Sequence, residues 1–178
     1  MRPNNEDAAF AGPRLLALAD GVGGHAAGEI ASSLVVEHLK PLNDRLHSDD
    51  LLRDLHDAIT KANAALAEQA ARHPEIAGMA TTLTAIYFAG NRLGLAHIGD
   101  SRAYLLRDGR LTQLTKDDTL VQSLVDEGRL TPEQARRHPQ RSMVLKVLTG
   151  HPVEPFFEIR EVVVGDRYLI CSDGLSDY

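Results

Sequence analysis

Sulfur and large aromatic rings are nearly missing from this chain: it has one cysteine, no tryptophan and only 4% aromatic residues. A lone Cys171 can close no internal disulfide and build no thiolate metal site. A reducing, cytoplasmic setting is therefore expected, and any metal site must be made from oxygen or imidazole. Set in the apolar run "YLICSD", the thiol reads as core rather than as a nucleophile. Long hydrophobic runs are lacking too. The best candidate, "ATTLTAIYFAG", is broken by threonines and falls short of the ~18 apolar residues that a membrane span needs. The opening "MRPNNEDAAF" turns acidic at once and carries no secretory signal. Basic charge is sparse: the net charge is -6 and the densest basic stretch is "ARRHPQR", so nucleic acid is not an expected partner.

What is present suits one ordinary domain. The 178 residues are 43% hydrophobic and 25% charged, enough for one core and too few to argue for two. "RPNNEDAAFAG" and "RLLALAD" read as short strands joined at Gly12-Pro13. Ile30, Leu34, Val35 and Leu39 recur at helical spacing from Ala26 to Leu39, and Pro41 stops the run. A second helix is expected from Asp49 to about Ala71, with Leu51, Leu52, Leu55, Ile59, Ala62 and Leu66 on one face. Hairpins follow at Gly90-Asn91 and Asp108-Gly109. Two short helices are expected over 117–128 and 131–138, the second with Thr131 as cap and Gln134 completing a capping box. "FFEIREVVV" and "DRYLICSD" give two more strands around Gly165-Asp166. Tight hairpins imply antiparallel sheet, and two long helices must cover a sheet face, so the fold class is a layered α+β domain.

Three apolar strands end in an aspartate: "LLALAD" at Asp20, "LGLAHIGD" at Asp100 and "RYLICSD" at Asp173, while Glu6 and Asp7 stand together near the start. An Asp-Gly after a strand is ordinarily a turn. Three strand tips that each deliver a carboxylate can instead converge on one cleft, where the charges repel unless they share protons or a cation. Oxygen ligands without cysteine favour Mg²⁺ or Mn²⁺ over zinc. Pairs of such ions suit hydrolysis of phosphate esters. A rival reading takes Gly21, Gly23 and Ala26 as a dinucleotide fingerprint. The helix after it is followed by another helix, not by a parallel strand, and Asp20 would face the pyrophosphate.

The motifs "RPNNEDA", "LLALADGVGGHAAGE", "ATTLTA", "LAHIGDSRAYLLRDG", "TKDDTLVQSLVDEG", "HPQRS" and "YLICSDGLSD" occur in an order that resembles the metal-dependent serine/threonine protein phosphatases (PPM, type 2C), the actinobacterial branch most of all. The resemblance runs from residue 2 to 177. It implies an α-β-β-α sandwich of two antiparallel sheets flanked by helices. It also implies hydrolysis of phosphoserine and phosphothreonine by metal-activated water, with no covalent enzyme intermediate. Two Mn²⁺ or Mg²⁺ ions are implied, bridged by Asp20, with the Gly21 carbonyl as a further ligand and Asp173 on the first ion. Asp100 matches the ligand of a third, weaker ion, and Ser142 falls where a further contact to it is made. Glu6 and Asp7 match the acidic pair that orients water, and Arg2 matches the arginine that clamps the substrate phosphate. Implied partners are phosphorylated proteins, serine/threonine kinases among them. Relatives carry a membrane span downstream, which leaves a tether open for the intact protein.

The sequence departs from the pattern in three places. Some members have a histidine directly after the Asp-Gly as acid for the leaving group, whereas here Val22 stands there; His25, at a helix start, reads as structural. Residues 1–178 match a single phosphatase domain truncated at both ends, without an N-terminal strand and without the C-terminal Gly-x-x-Asp-Asn segment. If that is the whole protein, the expectation is weak metal binding and little turnover. The alternative is then a catalytically inactive module that binds phosphoproteins or kinases. Residues 117–142 match a flap beside the active site, and Arg136, Arg137 and Arg141 on it could attract an acidic phosphopeptide.

Overall fold

A computed structural model of the protein describes residues 5–23 and 26–176. Tight turns set the strand order. Strand β1 (Asp7–Ala11) folds back on β2 (Leu15–Val22) through Gly12, whose amide donates to the Leu15 carbonyl at 2.9 Å. After the two-residue strand β3 (Ala80–Thr81), β4 (Leu83–Ala89) and β5 (Arg92–Ile98) form the hairpin about Gly90-Asn91. The next hairpin joins β6 (Arg102–Arg107) to β7 (Arg110–Gln113) across Asp108 and Gly109, at φ 51° and 74°. Positive φ at both turn residues is what a tight Asp-Gly hairpin requires.

The last two strands part company. β8 (Phe156–Glu161) pairs with β5 in a first sheet of order β1-β2-β4-β5-β8, with β3 attached to β2. β9 (Arg167–Cys171) pairs with β6 in a second sheet of order β7-β6-β9. The crossing between them is tied down by Asp166, whose carboxylate accepts from the Arg107 fork at 2.7 Å on each oxygen and from the Tyr168 hydroxyl at 2.9 Å. The guanidinium holds that carboxylate well below the usual range, while burial pushes the Tyr168 phenol up to about 12.

Helix α1 (Ala26–Leu39) runs as its spacing predicts. Helix α2 (Leu51–Arg72) begins two residues later than expected, because Asp50 is extended and caps it by accepting the Arg53 amide at 3.0 Å. Its buried stripe is Leu51, Leu55, Ala58, Ile59, Ala62 and Leu66, so Ala58 takes the place expected of the half-buried Leu52. Both helices cover one face of the first sheet and bury Leu15, Ala17, Leu83, Ala85 and Tyr87. The other face meets the second sheet through Ile86, Leu93, Leu95, Ala103 and Leu105. Each fully buried leucine here contributes about 1.5–3 kcal/mol. The result is the expected layered sandwich of antiparallel sheets with helices. Helices α3 (Leu120–Asp126) and α4 (Pro132–Arg136) are shorter than expected, trimmed by their caps Thr119 and Thr131, and the capping box with Gln134 is formed. Among the described residues no helix is long and apolar enough to cross a membrane.

His97 is buried between the sheets, with Nδ1 3.0 Å from Thr84 Oγ1 and Nε2 2.9 Å from the Lys116 carbonyl. Burial lowers its pKa, outweighing the nearby Asp118 carboxylate. A depressed folded value means that the unfolded chain takes up the proton first. Stability from this group is therefore fully present above an unfolded value of about 6.5 and is lost as pH falls through the lowered folded value. Thermal unfolding between pH 8 and 5 should show the wild-type Tm falling more steeply than that of His97→Gln; parallel curves would contradict this account.

Candidate active site

Along β2, Leu15, Ala17 and Ala19 are buried and the first two pack toward the helices, so Asp20 continues the opposite face, the one between the sheets. Pairing with β4 ends at Leu18, and from Gly21 the strand pairs with β3 instead. The Asp20 peptide is held firmly. Its amide donates to Thr82 Oγ1 at 3.0 Å, and its carbonyl accepts from the Thr81 hydroxyl at 3.0 Å and the Thr82 amide at 2.9 Å. Thr81 and Thr82 thus brace Asp20.

The glycines of "DGVGGHAAGE" allow close approach. A Cβ on Gly21 would lie 2.3 Å from the Gly28 carbonyl oxygen, and one on Gly28 would lie 2.0 Å from Glu6 Oε2. The first turns of α1 can therefore sit against β2 and leave room for the Glu6 side chain. Ser32 Oγ donates to the Glu6 carbonyl at 2.6 Å and the Gly21 amide donates to the same oxygen at 3.2 Å, which fixes that loop. This close packing, with antiparallel pairing throughout both sheets, accounts for the glycines without a dinucleotide.

Asp100 sits where the chain crosses from β5 in the first sheet to β6 in the second. Asp173 opens the short helix α5 (Asp173–Ser176) directly after β9. Next to it, Ser172 Oγ donates to Asp7 Oδ2 at 3.0 Å. Asp7 in turn is the register partner of Asp20. Ser172 was not singled out from the sequence; the only trace of it there is a hydroxyl beside the strand-end aspartate in "CSDG".

Glu6, Asp20, Gly21, Asp100, Ser142 and Asp173 all line one cleft of about 390 Å³, together with Val22, Thr82, Val144 and Val147. Asp7 stands at its side, joined through Ser172. Arg2 and His25 lie outside the described residues. Ser142, at the end of the 117–142 flap, and Val144 and Val147, on the limb that returns from it, reach the cleft; this limb pairs with the outgoing one at Thr119 and Val144. The outgoing limb is pinned by Arg102, whose fork meets the Asp117 carboxylate at 2.6–3.1 Å. Arg136, Arg137 and Arg141 are exposed on the flap.

Carboxylates directly opposite one another in a sheet, as Asp7 and Asp20 are, repel unless a donor or cation offsets them. Among the described residues no three His, Cys, Asp or Glu side chains group tightly enough to hold one ion between them. Glu6, Asp20, Asp100 and Asp173 nonetheless present their carboxylates to the same cleft. A donor set of carboxylates and a main-chain carbonyl, with no cysteine or histidine among the described residues lining the cleft, suits hard cations such as Mg²⁺ or Mn²⁺ rather than a closed thiolate or imidazole zinc site.

Residues 4–178 match the family model for protein phosphatase 2C. The chain is 64% identical over 177 residues to the serine/threonine protein phosphatase PstP of Mycobacterium tuberculosis, covering 99% of this chain and 34% of that protein. It thus spans about a third of the length of that curated relative. It superposes on the crystal structure of the M. tuberculosis serine/threonine phosphatase PstP/Ppp with a TM-score of 0.97 at 64% identity, covering 99% of this chain and 75% of that one. The catalytic domain of PstP in complex with two manganese ions gives a TM-score of 0.93 at 61% identity, covering 99% and 74%. With its carboxylates gathered at one end of a two-sheet sandwich and the family's pattern matched over nearly its whole length, the chain belongs to the protein phosphatase 2C family.

Proposed function

We propose that residues 1–178 form part or all of a phosphatase domain that hydrolyses phosphoserine and phosphothreonine esters of proteins with Mn²⁺ or Mg²⁺. The observation that carries this reading is the convergence of Glu6, Asp20, Asp100 and Asp173 on one cleft. In this reading Asp20, the Gly21 carbonyl and Asp173 hold two ions, and Asp100 with Ser142 holds a third. When bound, such ions supply Lewis acidity and a nucleophile from water near neutral pH. Glu6 and Asp7 would orient that water by accepting hydrogen bonds from it, and Ser172 keeps the Asp7 carboxylate aimed. Arg2 neutralises the phosphoryl oxygens as charge builds on them. Val22 lines the cleft but has no proton to give, so the departing alkoxide takes its proton from water ordered by the acidic pair.

Its substrates are phosphoproteins, serine/threonine kinases among them, and the single buried Cys171 suits the reducing cytoplasmic side of a membrane. Hydrolysis of p-nitrophenyl phosphate, with and without Mn²⁺, tests the reading on this chain and on a longer form that carries the rest of the domain its relatives share. Mn²⁺-dependent turnover, followed by release of phosphate from a phosphothreonine peptide, is the expected result. Metal-independent or absent turnover in the longer form would leave only a phosphoprotein-binding role.

A further inference from the structure

One acidic residue touches both limbs of the flap and the strand exit that carries Asp100. The Asp118 amide donates to the Gly99 carbonyl at 2.7 Å, and its Oδ2 accepts from the Gly99 amide at 3.0 Å. The Asp118 carbonyl accepts from the amide of Leu145, on the returning limb, at 2.7 Å. Lys146, the next residue on that limb, brings Nζ to 3.7 Å from Oδ1. Gly99 immediately precedes Asp100 and is held at φ 109°, a backbone conformation that favours glycine. It also packs against Thr82, whose hydroxyl receives the Asp20 amide. A shift of the flap base therefore has a short covalent and hydrogen-bonded route to the Asp100 carboxylate.

We infer that Asp118 is the positioning residue through which the flap sets Asp100, so that flap order and divalent-cation binding at Asp100 are coupled. The inference rests on the metal reading of Asp100 proposed above. Coupling of this kind is reciprocal: whatever steadies the flap tightens the cation, and the cation steadies the flap. A phosphoprotein that rests on the flap would thereby strengthen cation binding at Asp100.

The test uses Mn²⁺ alone as the probe, followed by water-proton relaxation, with amide hydrogen exchange as a second readout. Asp118→Ala removes the acceptor for Gly99; Asp118→Asn keeps an oxygen there and serves as the conservative rescue. Asp118→Ser, polar but too short to reach Gly99, stands in if the alanine variant does not fold. Asp126→Asn is the control, since it breaks the Lys116–Asp126 pair on the flap without touching Gly99. Binding that is lost in Asp100→Asn should weaken about tenfold in Asp118→Ala, in line with other residues that orient metal ligands. It should stay near wild type in Asp118→Asn and in Asp126→Asn. Saturating Mn²⁺ should slow exchange of the Leu120 and Leu145 amides at the flap base in the wild type and not in Asp118→Ala. Unchanged affinity in Asp118→Ala, or an equal loss in Asp126→Asn, would overturn the inference while the metal reading stands. Absence of any Asp100-dependent binding in the wild type would overturn the metal reading and this inference with it.

Discussion

Asp20→Asn should reduce Mn²⁺-dependent phosphatase activity by on the order of a thousandfold or more, with the fold intact. The two halves of that expectation have separate causes. The fold around residue 20 is held by its peptide group, bonded to Thr81 and Thr82, and an asparagine keeps all three of those bonds. The chemistry depends on the charge. The carboxylate lines the cleft with Glu6, Asp100 and Asp173, and an amide oxygen is a far poorer partner for a divalent cation than a carboxylate. Turnover of p-nitrophenyl phosphate, Mn²⁺ titration and thermal unfolding, run side by side on the longer form, check both halves. Retained activity would remove Asp20 from the centre of the mechanism. A Tm lowered by more than a few degrees would show that the side chain, and not only its peptide, holds the strand.

The largest effect on stability is expected at Gly21→Ala. The added methyl would lie 2.3 Å from the Gly28 carbonyl oxygen and 2.8 Å from the Glu6 carbonyl oxygen, both main-chain atoms that no rotamer change can move. Either α1 lifts off β2 or the Glu6 loop is pushed aside. We expect a loss of about 3 kcal/mol or more, which for a chain of this size lowers Tm by roughly 10 °C. Gly90→Ala makes a useful contrast. Gly90 also has positive φ, at 60°, but nothing lies within 4 Å of its added carbon, so only the backbone term of about 1 kcal/mol applies. Equal shifts for the two variants would mean that conformational freedom, not close approach, explains Gly21.

Several features of the site were legible in the sequence for physical reasons. Asp20, Asp100 and Asp173 each follow an apolar strand-like run, and a charge that closes such a run falls at the edge of a core, although β2 itself continues two residues past Asp20. The Asp-Gly hairpin at residues 108–109 and the Thr131/Gln134 capping box were readable because their chemistry is complete within four residues. Other features were not. "GVGGHAAGE" carries the glycines of a phosphate cradle as well as those of a close helix–strand contact, and the proximity of Gly21 to Gly28 shows what the second reading requires of them. Ser172 left only a faint local signal and Asp118 none, because what marks them is a partner 165 residues away in one case and 19 in the other.

The chain's own order of residues determined its strands, its two long helices, its turns and the kind of ligand available, all of which follow from periodicity and side-chain chemistry over a few residues. Tertiary structure alone decided that the acidic tips meet. Asp20 lines the cleft where β2 passes from β4 to β3; Asp100 joins it where the chain crosses from β5 in one sheet to β6 in the other; Asp7 enters through its register with Asp20. Those pairings depend on packing summed over two sheets and a helix layer, and contacts such as that between Asp20 and Thr82, 62 residues apart, lie beyond any local pattern.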